Sequence, residues 1–182
     1  SLVTLAILPD EHRSNLLEIL QNCREAGVQV AFDSNYRPAL WESPEAARRW
    51  HDAALGVATI GLPTLEDEAA LTGVDRCEDV AAHWRARGVT EVAVKMGAAG
   101  AMIAGAMVPP QVVVSRPLDT SGAGDAFNGA YLAHRLAGAS PAEAAAAGNR
   151  LAGWVVQRRG AIPAAEAEPY GRTQPDRAGS IL

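Results

Sequence analysis

A loop and the start of a helix meet in the stretch DTSGAGDAFNG, residues 119–129. Its glycines Gly122 and Gly124 leave no side chain where a backbone must approach a ligand closely. The helix that is predicted to begin at Ala123 exposes its first amides, which carry partial positive charge and can bind a phosphate. Asp125 lies in the same turn, where a carboxylate can take the proton from an attacking hydroxyl group. The stretch therefore permits phosphoryl transfer with Asp125 as the general base.

By spacing alone, the same stretch also fits an ordinary capped helix. Gly122 and Gly124 would then be turn residues, and Asp125 would be a favourable negative charge in the first turn. The residues themselves leave these two interpretations equally open.

Strand and helix patterns alternate along the rest of the chain. Strands are predicted at residues 1–8, 28–32, 56–62 and 89–95. Helices are predicted at residues 10–26, 44–55, 65–71, 77–87, 123–138 and 141–160. Residues 97–115, with short apolar runs broken by glycine and proline, indicate antiparallel hairpin strands at a sheet edge. This order predicts a three-layer αβα fold with a mainly parallel central sheet.

Ligands of such sheets bind beyond the carboxyl ends of the strands. The residues that reach this edge are predicted to be Asp33, Leu62, Lys95 and Asp119. We therefore expect the functional site to lie where these four positions meet.

Composition restricts the class of protein. The 182 residues, with 48% hydrophobic and 20% charged side chains, fit one domain with a sizeable core. A net charge of -5 with scattered Lys and Arg argues against a nucleic-acid partner. No apolar run reaches the roughly 18 residues that cross a bilayer. Cys23 and Cys77 fit free thiols on helices, so we expect a cytoplasmic protein without a membrane segment.

Two further features are expected to lie outside the functional site. The four histidines show no metal-ligand spacing and are predicted to be solvated or half-buried on helices: His12, His51, His83 and His134. Residues 164–182 are polar and lack a period, so they are predicted to form a disordered tail after a domain at residues 1–163.

Residues 119–129 resemble the C-terminal motif of the ribokinase-like (PfkB) carbohydrate kinases, DTxGAGDxFxxG, and match it from Asp119 to Phe127. In that family the second aspartate is the general base and the GAGD amides form an anion hole. The resemblance implies the first role for Asp125 and the second for Gly122, Ala123 and Gly124. It also implies ATP and Mg²⁺ as cofactors and a small sugar or sugar acid as the partner.

Two stretches are similar to the family's nucleotide site. KMGAAGA, residues 95–101, resembles its KxGxxG element, which implies nucleotide contacts for Lys95, Gly97 and Gly100. Asn149 matches a family asparagine near the adenine. Taken alone, the first stretch fits a strand that ends in a glycine-rich hairpin better than a nucleotide site, and a helical asparagine commonly faces solvent.

The substrate is indicated by FDSNYRPALW, residues 32–41. It resembles the DxNxRxxLW segment of the 2-keto-3-deoxygluconate kinase subgroup, in which the arginine lies close to the acid end of the substrate. Arg37 suits that role, because a planar guanidinium can bind a carboxylate through two parallel hydrogen bonds. The alternative is that Arg37 caps a helix or pairs with a surface acid, and the runner-up activity is that of a fructokinase or ribokinase.

A magnesium site is implied by LPTLEDE, residues 62–68. The family's NxxE motif, which acts on magnesium-bound phosphates mostly through water, has Thr64 and Asp67 here in place of Asn and Glu. Mg²⁺ keeps several waters and accepts few carboxylates, so either Asp67 or the adjacent Glu68 could serve. The alternative is an ordinary helix N-terminus, where acidic residues are favoured and the same residues are expected.

The resemblance covers residues 2–163, the C-terminal part of a family member. Family members are longer, and the part that precedes this match carries further sugar contacts and a lid that excludes water. We therefore expect nucleotide binding to persist in this chain and sugar specificity and turnover to be reduced. A non-catalytic nucleotide-binding fragment is the rival interpretation. The oligomeric state stays open, because the family often associates through the lid.

Overall fold

Five strands form one mixed sheet, in the order β1-β2-β3-β4-β5, in the computed structural model, which describes residues 1–163. The strands are β1 Ala31–Phe32, β2 Ile60–Gly61, β3 Glu91–Lys95, β4 Ala101–Ile103 and β5 Ala106–Val108. Pairing is parallel from β1 to β3 and antiparallel from β3 to β5. The predicted tail at residues 164–182 lies outside the described residues.

Helices cover both faces of this sheet. In the described part of the chain they are α1 Leu2–Ala6, α2 Asp10–Glu25, α3 Pro44–Val57, α4 Leu65–Thr72, α5 Cys77–Ala86, α6 Ala123–Leu136 and α7 Pro141–Val155. Short 3₁₀ turns add Pro38–Leu40 and Gly97–Ala99. Two of the longer helices begin as predicted, with Ser43 and Ser140 as N-caps whose side chains accept from Ala46 N and Glu143 N.

The core divides into two clusters because side chains alternate between the faces of β3. Val92 and Val94 pack with Trp84 in a cluster that α1 to α5 supply. Ala93 points the other way and packs with Tyr131 in a cluster that α6 and α7 supply. The predicted α/β fold with three layers is confirmed, with the antiparallel hairpin at the edge of the sheet.

The first eight residues are not the predicted strand. Leu2–Ala6 is a helix, and Leu2 and Leu5 bury their side chains almost completely. Its last carbonyl groups are bound by the buried Arg13, whose Nε donates to Leu5 O at 2.7 Å and whose Nη2 donates to Ala6 O at 3.1 Å. The prediction was wrong because a short apolar run has no period that separates a buried strand from a buried helix.

One histidine also contradicts its prediction. His51 on α3 is completely buried, and its Nε2 lies 3.1 Å from Oε1 of Glu68, which is also completely buried. The ring packs edge-on against Trp84 at 5.5 Å between centroids. His51 occupies the core-facing position between Ala47 and Ala54 on α3, where a polar side chain needs a buried partner. The other three histidines are exposed or half-buried, as predicted.

Cys23 and Cys77 lie on α2 and α5 as free thiols. Within residues 1–163, no helix combines the length and the apolar character that crossing a membrane requires.

Candidate active site

A cleft of about 670 Å³ opens at the carboxyl ends of the parallel strands. Its walls come from the loop after β1, the start of α4, the end of β3, the loop before α6 and one side of α7. This is the edge at which ligands of parallel sheets bind. Asp33 and Lys95 line it as expected, whereas Leu62 is buried beneath it and Asp119 supports it from outside.

Nearly all predicted site residues meet on this cleft. The residues that line it are Arg37, Asp67, Lys95, Gly97, Gly100, Gly122, Ala123, Gly124, Asp125 and Asn149. Glu68 is the exception, because it turns into the core toward His51. Successive helical residues point about 100° apart, so Asp67 and Glu68 cannot share one direction. Of the two magnesium candidates, only Asp67 lines the cleft.

The start of α6 is shaped by Gly122. This N-cap residue has φ 74°, and a Cβ added to it would lie 2.6 Å from Ala161 O. The first bond of the helix runs from Ala126 N to Gly122 O at 2.8 Å, so the amides of Gly124 and Asp125 precede it. Such amides have no carbonyl one turn earlier to bind and carry partial positive charge. The turn thus presents amides and the exposed Asp125 to the same cleft.

Asp119 holds this turn in place. Its Oδ1 accepts from Ser121 N and its Oδ2 from Gly160 N, both at 2.9 Å. These backbone hydrogen bonds, that from Ser121 first, lower the pKa of Asp119 below its ordinary value. Sequence reasoning identified Asp119 as a motif residue without this function. The aspartate ties the loop before α6 to the segment after α7.

A network at the base of the cleft was also missed from the sequence. Lys95 Nζ donates to Asp33 Oδ2 and to Asn128 Oδ1, both at 3.0 Å, and Asn128 Nδ2 donates to Asp33 Oδ2 at 2.6 Å. Asn128 belongs to the stretch 119–129, three residues after Asp125. That helical spacing was the available signal, because it puts both side chains on one side of α6.

Arg37 pairs with an acid, as the alternative interpretation proposed, but this acid belongs to the cleft. Arg37 Nη1 lies 3.5 Å from Asp67 Oδ1 and donates to Tyr36 O at 2.8 Å. Burial raises the pKa of Asp67, and the charge of Arg37 acts against that rise. The two residues give the cleft one cation and one partly desolvated carboxylate.

The far wall of the cleft contains Asn149 on α7. Its side chain is 8% exposed and donates from Nδ2 to Val108 O of β5 at 2.8 Å. The alternative of a solvent-facing asparagine is therefore wrong. Gly148 beside it allows α6 and α7 to pack closely, since a Cβ there would lie 2.6 Å from Phe127 Cδ2. This contact aligns the start of α6 with the cleft wall.

Comparison with known proteins identifies the class. Residues 1–168 match the pfkB family carbohydrate kinases, and the chain belongs to this family. The family predicted from the stretch 119–129 is thus confirmed.

Particular relatives refine the comparison. The chain is 42% identical over 173 residues to 2-dehydro-3-deoxygluconokinase of Escherichia coli strain K12, covering 92% of this chain and 56% of that protein. It is 34% identical over 154 residues to a fructokinase of Klebsiella pneumoniae, covering 82% and 50%. A fructokinase structure from Vibrio cholerae O395, with fructose, ADP and calcium ion bound, matches with a TM-score of 0.75 and 28% identity over 87% of this chain and 54% of that one. The chain spans about half the length of the curated relatives that it matches.

Proposed function

We propose that this chain carries the nucleotide-binding and catalytic part of a kinase that transfers the terminal phosphoryl group of ATP to a hydroxyl group of 2-keto-3-deoxygluconate. The observation that carries the proposal is the meeting of the α6 amides, Asp125 and Arg37 on one cleft. The 2-dehydro-3-deoxygluconokinases are the relatives with this substrate in their name, and one of them is 42% identical to this chain.

The reaction assigns a separate task to each part of the cleft. Asp125 takes the proton of the acceptor hydroxyl group while the oxygen of that hydroxyl group bonds to the terminal phosphorus of ATP. The bond from that phosphorus to the bridging oxygen breaks, and ADP leaves. The amides of Gly124 and Asp125 stabilise the negative charge that the transferring phosphoryl group spreads over its oxygens. Arg37 binds the substrate carboxylate and so orients the sugar acid.

The nucleotide is held by the wall that contains Gly97, Gly100 and Asn149. Glycines bring the backbone close to a ligand, and Asn149 is fixed by its bond to Val108 O. Asp67 is the carboxylate that fits Mg²⁺, since it lines the cleft and is partly buried. Burial raises its pKa because it disfavours the negative charge, and a bound cation would stabilise that charge. Bound Mg²⁺ would neutralise phosphate charge, and Asp67 would hold it mostly through water.

A fructokinase-type activity is the second candidate. It is supported by the similarity to the fructokinases of Klebsiella pneumoniae and Vibrio cholerae. A neutral sugar, however, would leave the Arg37 guanidinium without an anionic partner other than Asp67. A nucleotide-binding fragment without turnover is the third candidate, because the chain covers 56% of its E. coli relative.

The test is ATP-dependent phosphorylation of 2-keto-3-deoxygluconate, fructose and ribose. It is run with this chain and with a longer form that continues upstream of Ser1 to the length of the relatives. We expect the longer form to prefer the sugar acid and both forms to bind ATP. Preference for fructose or ribose would support the second candidate. ATP binding without turnover in either form would support the third.

A further inference from the structure

Three side chains close a hydrogen-bonded ring behind the start of α6, and we call it the Asp33–Lys95–Asn128 ring. Each member contacts both others, with donor–acceptor distances of 3.0, 3.0 and 2.6 Å. The members come from the end of β3, the loop after β1 and the second turn of α6. The ring therefore joins the catalytic helix to the sheet edge that forms the floor of the cleft.

The ammonium of Lys95 is held rather than mobile. Side-chain exposure is 8% for Lys95 and 12% for Asp33, so both charges are largely removed from water. A buried charge is tolerated when it is paired and hydrogen-bonded. An ammonium has three donors, and the two used on Asp33 and Asn128 leave one for the cleft.

Lys95 also lies against the turn that supplies the amides. A Cβ added to Gly124 would lie 3.6 Å from Lys95 Nζ, so the cation stands beside the first turn of α6. A fixed cation at this point adds to the partial positive charge of the amides. The ring thus holds a full positive charge next to the place where phosphoryl charge develops.

Asn128 connects this charge to Asp125. The two residues are three apart on α6, so a rotation of the helix that breaks the ring also moves Asp125. The other end of α6 is anchored separately, because Arg135 Nη2 donates to Glu91 Oε2 of β3 at 2.7 Å. With both anchors in place, neither rotation nor tilt of α6 is free.

We propose that Asn128 and Asp33 are positioning residues that fix the Lys95 cation beside the α6 amides and set the orientation of Asp125. This inference depends on the proposed kinase function. Asn128 suits the role because one amide group offers a donor for Asp33 and an acceptor for Lys95. A carboxylate of the same shape lacks that donor, and leucine lacks both groups.

The experiment compares Asn128→Asp, Asn128→Leu and the double variant Asp33→Asn/Asn128→Asp in the longer form that continues upstream of Ser1. We expect each single variant to lower kcat by about 100-fold, the loss typical of a small displacement of catalytic groups. KM for the sugar acid should change by less than about threefold, because Arg37 is untouched. The double variant keeps one carboxylate, one amide and one ammonium; it restores the bond between positions 33 and 128 but loses the bond from Lys95 to position 33, so it should recover about tenfold in kcat.

A pH profile separates positioning from a merely structural role. In Asn128→Asp two carboxylates face each other, so one pKa rises and a shared proton restores the missing donor as the pH falls. Its kcat relative to the wild type should therefore be higher at pH 5.5 than at pH 8. The charged groups that face this site are Asp33, Lys95 and Asp67, and all remain in every variant except the replaced Asp33.

The outcomes distinguish this inference from the kinase proposal. A wild type without turnover overturns both. If the wild type is active and Asn128→Leu keeps a kcat within twofold of it, only the positioning inference is overturned. Equal losses in all variants, with no rescue, no pH dependence and a lowered Tm, would show that the ring only stabilises the fold. Rescue by the double variant together with the pH dependence supports positioning.

Discussion

Arg37 and Asp67 face each other across the mouth of the cleft, with 3.5 Å between Arg37 Nη1 and Asp67 Oδ1. This single, long contact is weaker than the bidentate pairs that arginine and carboxylates form at 2.7–2.9 Å. The Arg37 side chain is 55% exposed, so its remaining donors are accessible from the cleft. A substrate carboxylate can therefore bind Arg37 without first breaking a strong ion pair.

Replacing Arg37 should discriminate between substrates. We expect Arg37→Ala to lower kcat/KM for 2-keto-3-deoxygluconate by about 10- to 100-fold, because a hydrogen bond to a charged group contributes about 1.5–3 kcal/mol. The value for fructose should change by less than about threefold. Steady-state kinetics with both sugars measures the difference. Arg48→Ala is the control, since Arg48 binds Glu45 and Leu71 O on α3 and α4, outside the cleft. Equal losses for both sugars would contradict the assigned role.

Replacing Asp125 should separate catalysis from binding. Asp125→Asn removes the proton acceptor while keeping the size of the side chain, and general bases contribute about 10²- to 10⁴-fold to rates. We expect kcat to fall by at least about 100-fold, with the Kd for ATP, measured by calorimetry, within about threefold of the wild type. Loss of ATP binding and turnover together would mean that Asp125 maintains the structure instead.

Two glycine variants should separate backbone strain from crowding. Gly122 and Gly138 both have positive φ, 74° and 87°, but only Gly122 has a neighbour that an added Cβ would strike, Ala161 O. A left-handed residue other than glycine costs about 1–3 kcal/mol, so Gly138→Ala should lose about that amount of unfolding free energy. Gly122→Ala should lose more and should also weaken ATP binding. Urea unfolding and calorimetry test this, and equal effects of the two variants would refute the crowding.

Stability should fall on the acid side of neutrality because of His83. Burial lowers the pKa of His83, and the neighbouring Arg87 lowers it further. The unfolded chain, with a histidine pKa of about 6.5, then binds more protons than the folded chain. The contribution of His83 to the free energy of unfolding is therefore fully present above pH 6.5. It is lost as the pH falls through the lower pKa that His83 has in the folded chain. Asp52 and Glu68 oppose this shift and His51 adds to it.

Urea unfolding at pH 7.5 and pH 5.5 measures the effect. We expect His83→Gln to lose less unfolding free energy between these pH values than the wild type does. His12→Gln, at an exposed position on α2, is the control for replacing a histidine. An unchanged pH dependence in His83→Gln would contradict the assignment.

Local sequence patterns predicted the helices better than the strands. Ser43 and Ser140 marked helix starts that the structure confirms, because an N-cap acts on amides within the next turn. The strand predicted at residues 56–62 shortened to Ile60–Gly61, since α3 continues to Val57. A strand extends only as far as its neighbours pair with it, and those neighbours are remote in sequence.

By itself, the sequence determined which groups meet at the α6 start, because glycines, amides and Asp125 lie within one turn of each other. Tertiary structure decided which groups surround that turn. It sent Asp67 to the cleft and Glu68 to His51, gave Arg37 its partner, and joined Asn128 to Asp33 across 95 positions of the chain. Short-range patterns are set by bonds within a few residues, whereas these contacts exist only after the strands have paired and the helices have packed.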